Sequence, residues 1–147
     1  MSPVVPYAIR GAIWNQGYAN MGEGLPYYNN LHNLVRGWRI VWNKPNLPVY
    51  FHQFYSAGMR HVGKEVNKPS IDGTAEMRLG TWLARDIPNT GMASQIDIAG
   101  GIHYQCKAVP GQRLALHALK NLYGKKDLVV DGPMFKSYKV EGDKVII

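Results

Sequence analysis

His103 stands in GGIHYQCK, directly after one apolar run and before a stretch with helical spacing. A loop histidine of this kind is placed to act as a general base, because imidazole changes charge near neutral pH. The same position suits a structural histidine bonded to a backbone carbonyl, and position alone does not choose between the two. A second group lies in RGAIWNQGYAN, residues 10–20, where an apolar run ends at Trp14 and leads into Gln16, Gly17 and Asn20. Side-chain amides can donate hydrogen bonds to the oxygen that turns negative when a carbonyl is attacked. They serve equally to satisfy the backbone groups of a turn.

A histidine base needs a nucleophile and usually a carboxylate that holds its tautomer. The serines are Ser2, Ser56, Ser70, Ser94 and Ser137. None occupies a glycine-flanked elbow or a strand-end G-D-S. Asp97 precedes His103 by six residues, inside the third predicted strand, which leaves its facing open. Cys106 is the sole cysteine, so the chain holds no internal disulfide and no multi-cysteine zinc site. It lies three residues from His103, whereas thiol–imidazole pairs usually come from distant parts of a chain. His52 falls inside a predicted strand and reads as packed; His32 and His117 fall in predicted helices and suit core or surface roles. His61 sits in a long loop with no neighbour that supports a role. The residues thus describe a hydrolase-like site with a base and amide donors, no visible nucleophile, and no need of a metal or cofactor.

The elements that must position these groups alternate. Residues 7–16 read as a buried strand, and residues 27–42 place Tyr27, Leu31, Leu34, Val35, Trp38 and Trp42 on one helical face. Pro48 opens PVYFHQF, a β-branched and aromatic strand, followed by a polar loop from Tyr55 to Thr74. Residues 75–87 have helical spacing at Met77, Trp82 and Leu83 and end before Pro88. Residues 91–99 form the third strand, and residues 111–123 the third helix, stopped by Gly124. This β-α-β-α-β-α order predicts an α/β fold with three layers, a parallel sheet with helices on both faces. Ligand sites in such sheets gather at the strand ends, here 16–24, 54–74 and 99–107. The tail after Lys126 alternates apolar and polar residues, turns at Glu141-Gly142-Asp143 and ends in Val145-Ile146-Ile147, as the first strands of a different, β-rich unit cut in mid-strand would, so a partial domain is expected.

Bulk properties agree with one globular domain. Hydrophobic residues make up 46% of the 147 and charged residues 18%, unlike the composition of a disordered chain. No apolar run is long enough to span a membrane. The net charge of +7 raises nucleic acid or an acidic ligand as partner, but the basic residues are scattered and read as solvated surface. The opening MSPVVPYAIRG lacks the layout of a signal peptide.

The motif blocks resemble those of the sialate O-acetylesterase family, SGNH/GDSL-type hydrolases of carbohydrate acetyl esters. AIRGAIWNQGYAN is similar to that family's RGxIWYQGExN, and YYNNLHNLVRGWR to its helix leading into a W-R pair. AEMRLGTWLARDIPNTGMASQIDI resembles its L-R-x-x-Q helix followed by PNTGMAVxxD. GIHYQCKAVPGQRLALHALKNLYG aligns with DIHPxxKxxVGxRLAxxAxxxxYG, and GPMFKSYKVEGDKVII resembles the entry to a β-domain. The likeness implies an SGNH/flavodoxin-like fold, with residues 1–126 the carboxy-terminal part of the esterase domain and 127–147 the start of a β-rich segment.

The same resemblance assigns residues. His103 falls on the catalytic histidine, and Gln16, Gly17 and Asn20 on positions that shape the oxyanion side. Lys107, Gly111 and Arg113 fall on structural motif positions around the last helix start. The family's serine sits in an upstream G-x-S block that no serine here matches. Gly101 replaces the acid before the histidine, Tyr18 the glutamate of QGE, and Tyr104 the proline after the histidine. Either Asp97 takes over as the acid or the site has decayed. The implied partner is an O-acetylated carbohydrate, with Tyr18, Tyr104, Trp14 and Tyr55 as stacking surfaces or packing. No nucleic-acid partner and no membrane span are implied, and the family is an exported one. This chain alone is expected to be nearly inactive, its first strand's place an open sheet edge for an upstream segment or for self-association. The alternative is a non-catalytic carbohydrate-binding or interaction module on the same fold.

Overall fold

Alternation of side chains across one central strand builds both faces of the molecule. The computed structural model describes residues 2–5, 7–53, 74–98 and 104–147. In it Val49–Gln53 (β2) lies between Ala12–Trp14 (β1) and Thr90–Ser94 (β3), parallel to both. Val49 and Phe51 turn to one face and join Tyr27, Leu31 and Val35 of Tyr27–Val41 (α1) and Met77 of Thr74–Leu83 (α2) in one buried cluster. Tyr50 turns to the other face and packs with Ala93 and with Leu114 of Ala108–Asn121 (α3). Phe51 has no exposed surface, and such a side chain contributes about 1.5–3 kcal/mol by burial.

Helices on both faces of a parallel sheet give the three-layer α/β arrangement that the alternation predicts. Gly91 of β3 makes the α3 side possible, since a Cβ there would lie 2.5 Å from His117 Nδ1. The buried His117 ring stacks on Tyr50, and its Nε2 lies 3.1 Å from the Met92 carbonyl oxygen. His52 is also a core histidine, with Nε2 3.0 Å from the Pro110 carbonyl oxygen. Burial holds its imidazole below the ordinary range of histidine and keeps it neutral.

Several element bounds differ from the sequence reading. β1 covers three residues, not 7–16, because its pairing starts where β2 starts, at Ala12 opposite Val49. β3 stops at Ser94, not at residue 99, and a turn closed by the Ile98 amide on the Gln95 carbonyl takes over. Asp97 therefore stands beyond the strand. α2 buries Met77, Gly80 and Thr81, while Trp82 and Leu83 face solvent at 43% and 38% exposure. α3 begins at Ala108, with Pro110 in its first turn, where a missing N–H removes no helical bond.

The tail carries an exposed antiparallel hairpin, Lys139–Glu141 (β4) with Lys144–Ile146 (β5), turning at Gly142-Asp143. β1 forms one edge of the three-stranded sheet and pairs with β2 alone among the described residues. Ile13, at its centre, is 66% exposed, because α3 packs on β2 and β3.

Candidate functional site

The carboxyl-terminal side of the sheet brings together side chains from three separate segments. Asn15 follows β1, Gln95 follows β3, and Tyr104 precedes α3. Asn15 Nδ2 and Gln95 Nε2 each donate to the Tyr104 hydroxyl at 3.0 Å. Gln95 and Tyr104 are 2% and 3% exposed, so the bond between them is shielded from water, and the two bonds tie the ends of β1 and β3 to the start of α3. The Lys107 ammonium sits 3.5 Å from the centre of the Tyr104 ring. Tyr104 is thus enclosed rather than presenting a face on which a sugar can stack.

Gln16, Gly17 and Asn20 lie in the turn that follows β1. Gly17 has φ 156° and ψ −23°, a combination open to glycine, and it starts the 3₁₀ turn Tyr18–Glu23. That turn brings Asn20 to Gln16, whose Nε2 donates to Asn20 Oδ1 at 2.5 Å. Asn20 Nδ2 donates to Glu23 Oε1 at 2.6 Å, and Asn30 Nδ2 donates to the other Glu23 oxygen. At the opposite end the Tyr27 hydroxyl donates to Gln16 Oε1 at 3.0 Å. Burial pushes the Tyr27 phenol above its ordinary range, so it remains a donor. Tyr18 is half-buried against the α1–α2 core, and Trp14 packs edge-on against Trp38 at 5.5 Å.

Asp97 is gripped by Arg113, Nη1 to Oδ1 at 2.7 Å and Nη2 to Oδ2 at 2.6 Å. The guanidinium holds the Asp97 carboxyl well below its ordinary 3.8, at about 2, so it is ionised at neutral pH. Arg113 Nη1 also donates to the Ser94 carbonyl oxygen at 2.7 Å, which pins the end of β3 to α3. Ser94 donates its hydroxyl to Gln53 Oε1 at 3.1 Å. Cys106 is free and exposed.

His103 and Gly101 lie outside the described residues, as do His61, Tyr55, Ser56 and Ser70. The described neighbours that flank His103, Ile98 and Tyr104, are both buried. Gln16 and Asn20 come together, whereas Asp97 stands with Arg113 past β3. Sequence reasoning missed Asn15, Gln95 and Glu23. The local spacing N-x-x-E at Asn20 and Glu23 was the one signal that pointed to any of them. A groove of about 660 Å³, lined by His32, Arg36, Arg39 and Asp86 among others, lies toward the opposite ends of the strands.

No protein-family model matches the chain. The sialate O-acetylesterases of Homo sapiens and Pongo abelii are each 27% identical to it over 146 residues, which is 90% of this chain and 28% of theirs. A solved carbohydrate acetylesterase from Xanthomonas citri superposes with a TM-score of 0.79 at 30% identity, over 97% of this chain and 32% of that one. The chain is a partial sialate O-acetylesterase-like domain, spanning 28% of the length of these curated relatives.

Proposed function

We propose that this chain is one lobe of a carbohydrate O-acetylesterase. The observation that carries the reading is the likeness over 97% of the chain to a carbohydrate acetylesterase, at 30% identity. The amides of Gln16 and Asn20 at the end of β1 support it, since they stand where a parallel sheet collects its ligands.

In the complete site a serine outside this chain attacks the acetyl carbonyl of an O-acetylated sugar, sialic acid being the implied class. The serine oxygen bonds to the carbonyl carbon while His103 accepts the hydroxyl proton. An N–H of Gln16 or Asn20 holds the oxygen that becomes negative. Collapse breaks the ester bond, and His103 returns the proton to the departing sugar hydroxyl. Water, giving a proton to His103, then bonds to the acetyl carbon; the bond to the serine oxygen breaks, that oxygen takes the proton back from His103, and acetate leaves. No step calls for a metal or an organic cofactor.

Asp97 supports His103 by its charge, with one lone pair on each oxygen left over from the Arg113 grip. Tyr18 contributes the sugar contact of this lobe. The serine-bearing segment pairs along the edge of β1 that no described strand occupies.

Without the serine, the remaining donors catalyse weakly, and the chain alone is nearly inactive. The test is hydrolysis of p-nitrophenyl acetate and of an O-acetylated sialic acid by the pure chain beside His103→Ala. Equal, weak rates far below those of an intact serine esterase are expected for both. Strong turnover lost in His103→Ala would refute the missing nucleophile, and Ser56 and Cys106 would then be substituted in turn.

A further inference from the structure

We infer that Glu23 is the positioning residue that sets the polarity of the Gln16 and Asn20 amides, and so decides that their N–H groups are available to a ligand. The inference rests on the reading of those two amides as the oxyanion side of the site.

The amide ends of Asn and Gln have nearly the same shape, so a chain of amides can run in either direction unless one end is fixed. Here the chain is Tyr27, Gln16, Asn20, Glu23. Tyr27 carries a hydroxyl, which both donates and accepts, so it fits either direction. An ionised carboxylate only accepts. Glu23 Oε1 therefore draws the nitrogen of Asn20 toward itself at 2.6 Å, which turns Asn20 Oδ1 the other way. Gln16 must then offer its nitrogen to that oxygen, at 2.5 Å, and its own Oε1 turns to the Tyr27 hydroxyl.

Each amide nitrogen keeps a second N–H beyond this relay. With the direction reversed, Asn20 Oδ1 would face residue 23 and Gln16 Oε1 would replace a donor. An oxygen set against a developing oxyanion repels it, so the direction of the relay matters to the chemistry. Asn30, on α1, donates to the second oxygen of Glu23 and keeps the carboxylate in place.

The experiment is heteronuclear NMR of the side-chain amides of Gln16 and Asn20 in the full chain, in Glu23→Gln and in Glu23→Asp. Glu23→Gln keeps shape and loses charge, so both side-chain amides are expected to shift or double as the two directions populate. Backbone amides of β1 and α1 are expected to stay in place, and Glu23→Asp to keep a single set. Side-chain amides unmoved in Glu23→Gln, or doubled equally in Glu23→Asp, would overturn the inference. The readout needs no turnover, so it succeeds or fails separately from the esterase reading.

Discussion

Arg113 holds Asp97 through two parallel hydrogen bonds, 2.7 and 2.6 Å long, and reaches from α3 across the turn that follows β3. The pair is on the surface, with the Asp97 side chain 56% exposed, so water and salt screen it and its worth is about 1 kcal/mol or less. Its pH dependence has a definite sign. The folded-state carboxyl titrates at about 2, below the ordinary 3.8, so the stabilisation is present above pH 3.8 and is lost as pH falls toward 2. Denaturant unfolding of Asp97→Asn beside the parent should show a small constant deficit at neutral pH that vanishes across that window.

Gly91→Ala should destabilise the domain by about 1–3 kcal/mol, because the new methyl would sit 2.5 Å from His117 Nδ1 in a packed interior. The companion Gly91→Ala/His117→Ala variant removes the obstacle. Thermal unfolding of both should find the two substitutions non-additive, the double variant losing less than the sum of the singles.

Tyr104→Phe removes the acceptor of two amides while leaving the ring. Gln95, buried at 2% exposure, then keeps a donor with a lost partner, at a cost of about 1–3 kcal/mol. Asn15 lies 89 residues away in sequence and donates to the same oxygen. A double-mutant cycle of Tyr104→Phe with Asn15→Ala should therefore show coupling, read from denaturation midpoints.

Met77 and Trp82 of α2 should respond in opposite ways. Met77 has no exposed surface, so Met77→Ala should cost about 2–5 kcal/mol. Trp82 is 43% exposed and meets only the Arg85 guanidinium among its described ring contacts, so Trp82→Ala should cost about 1 kcal/mol or less. Urea unfolding of the two variants separates the cases.

The contrast in α2 shows how much of the fold was legible. α1 was readable because Tyr27, Leu31 and Val35 repeat at helical spacing and are the residues it buries. β2 was readable because Val49, Tyr50 and Phe51, opened by Pro48, form a β-branched and aromatic run that suits a strand. The ends of β1 and β3 were not, since a ladder stops where its partner stops. Ile96 and Ile98 alternate with Asp97 like strand residues, yet they stand in a turn, one exposed at 51% and one buried. Trp82 misled because its size counts in any apolar pattern, while the inner face of α2 uses Gly80 and Thr81 to let α1 approach.

In the site, Gln16 and Asn20 were visible by type and spacing. The role of Glu23 needed the 3₁₀ turn that brings it beside Asn20, which no periodicity announces. The Tyr104 network joins three distant segments, and a local reading has no access to such contacts.

The central claim is that this chain supplies the histidine and oxyanion side of an acetylesterase. The most direct test replaces the matching 32% of the Xanthomonas citri carbohydrate acetylesterase with this chain and measures release of acetate from an acetylated sugar. The account predicts turnover well above the uncatalysed rate that is lost in the His103→Ala form of the graft. A graft that folds yet releases no acetate, or one whose activity survives His103→Ala, would contradict it.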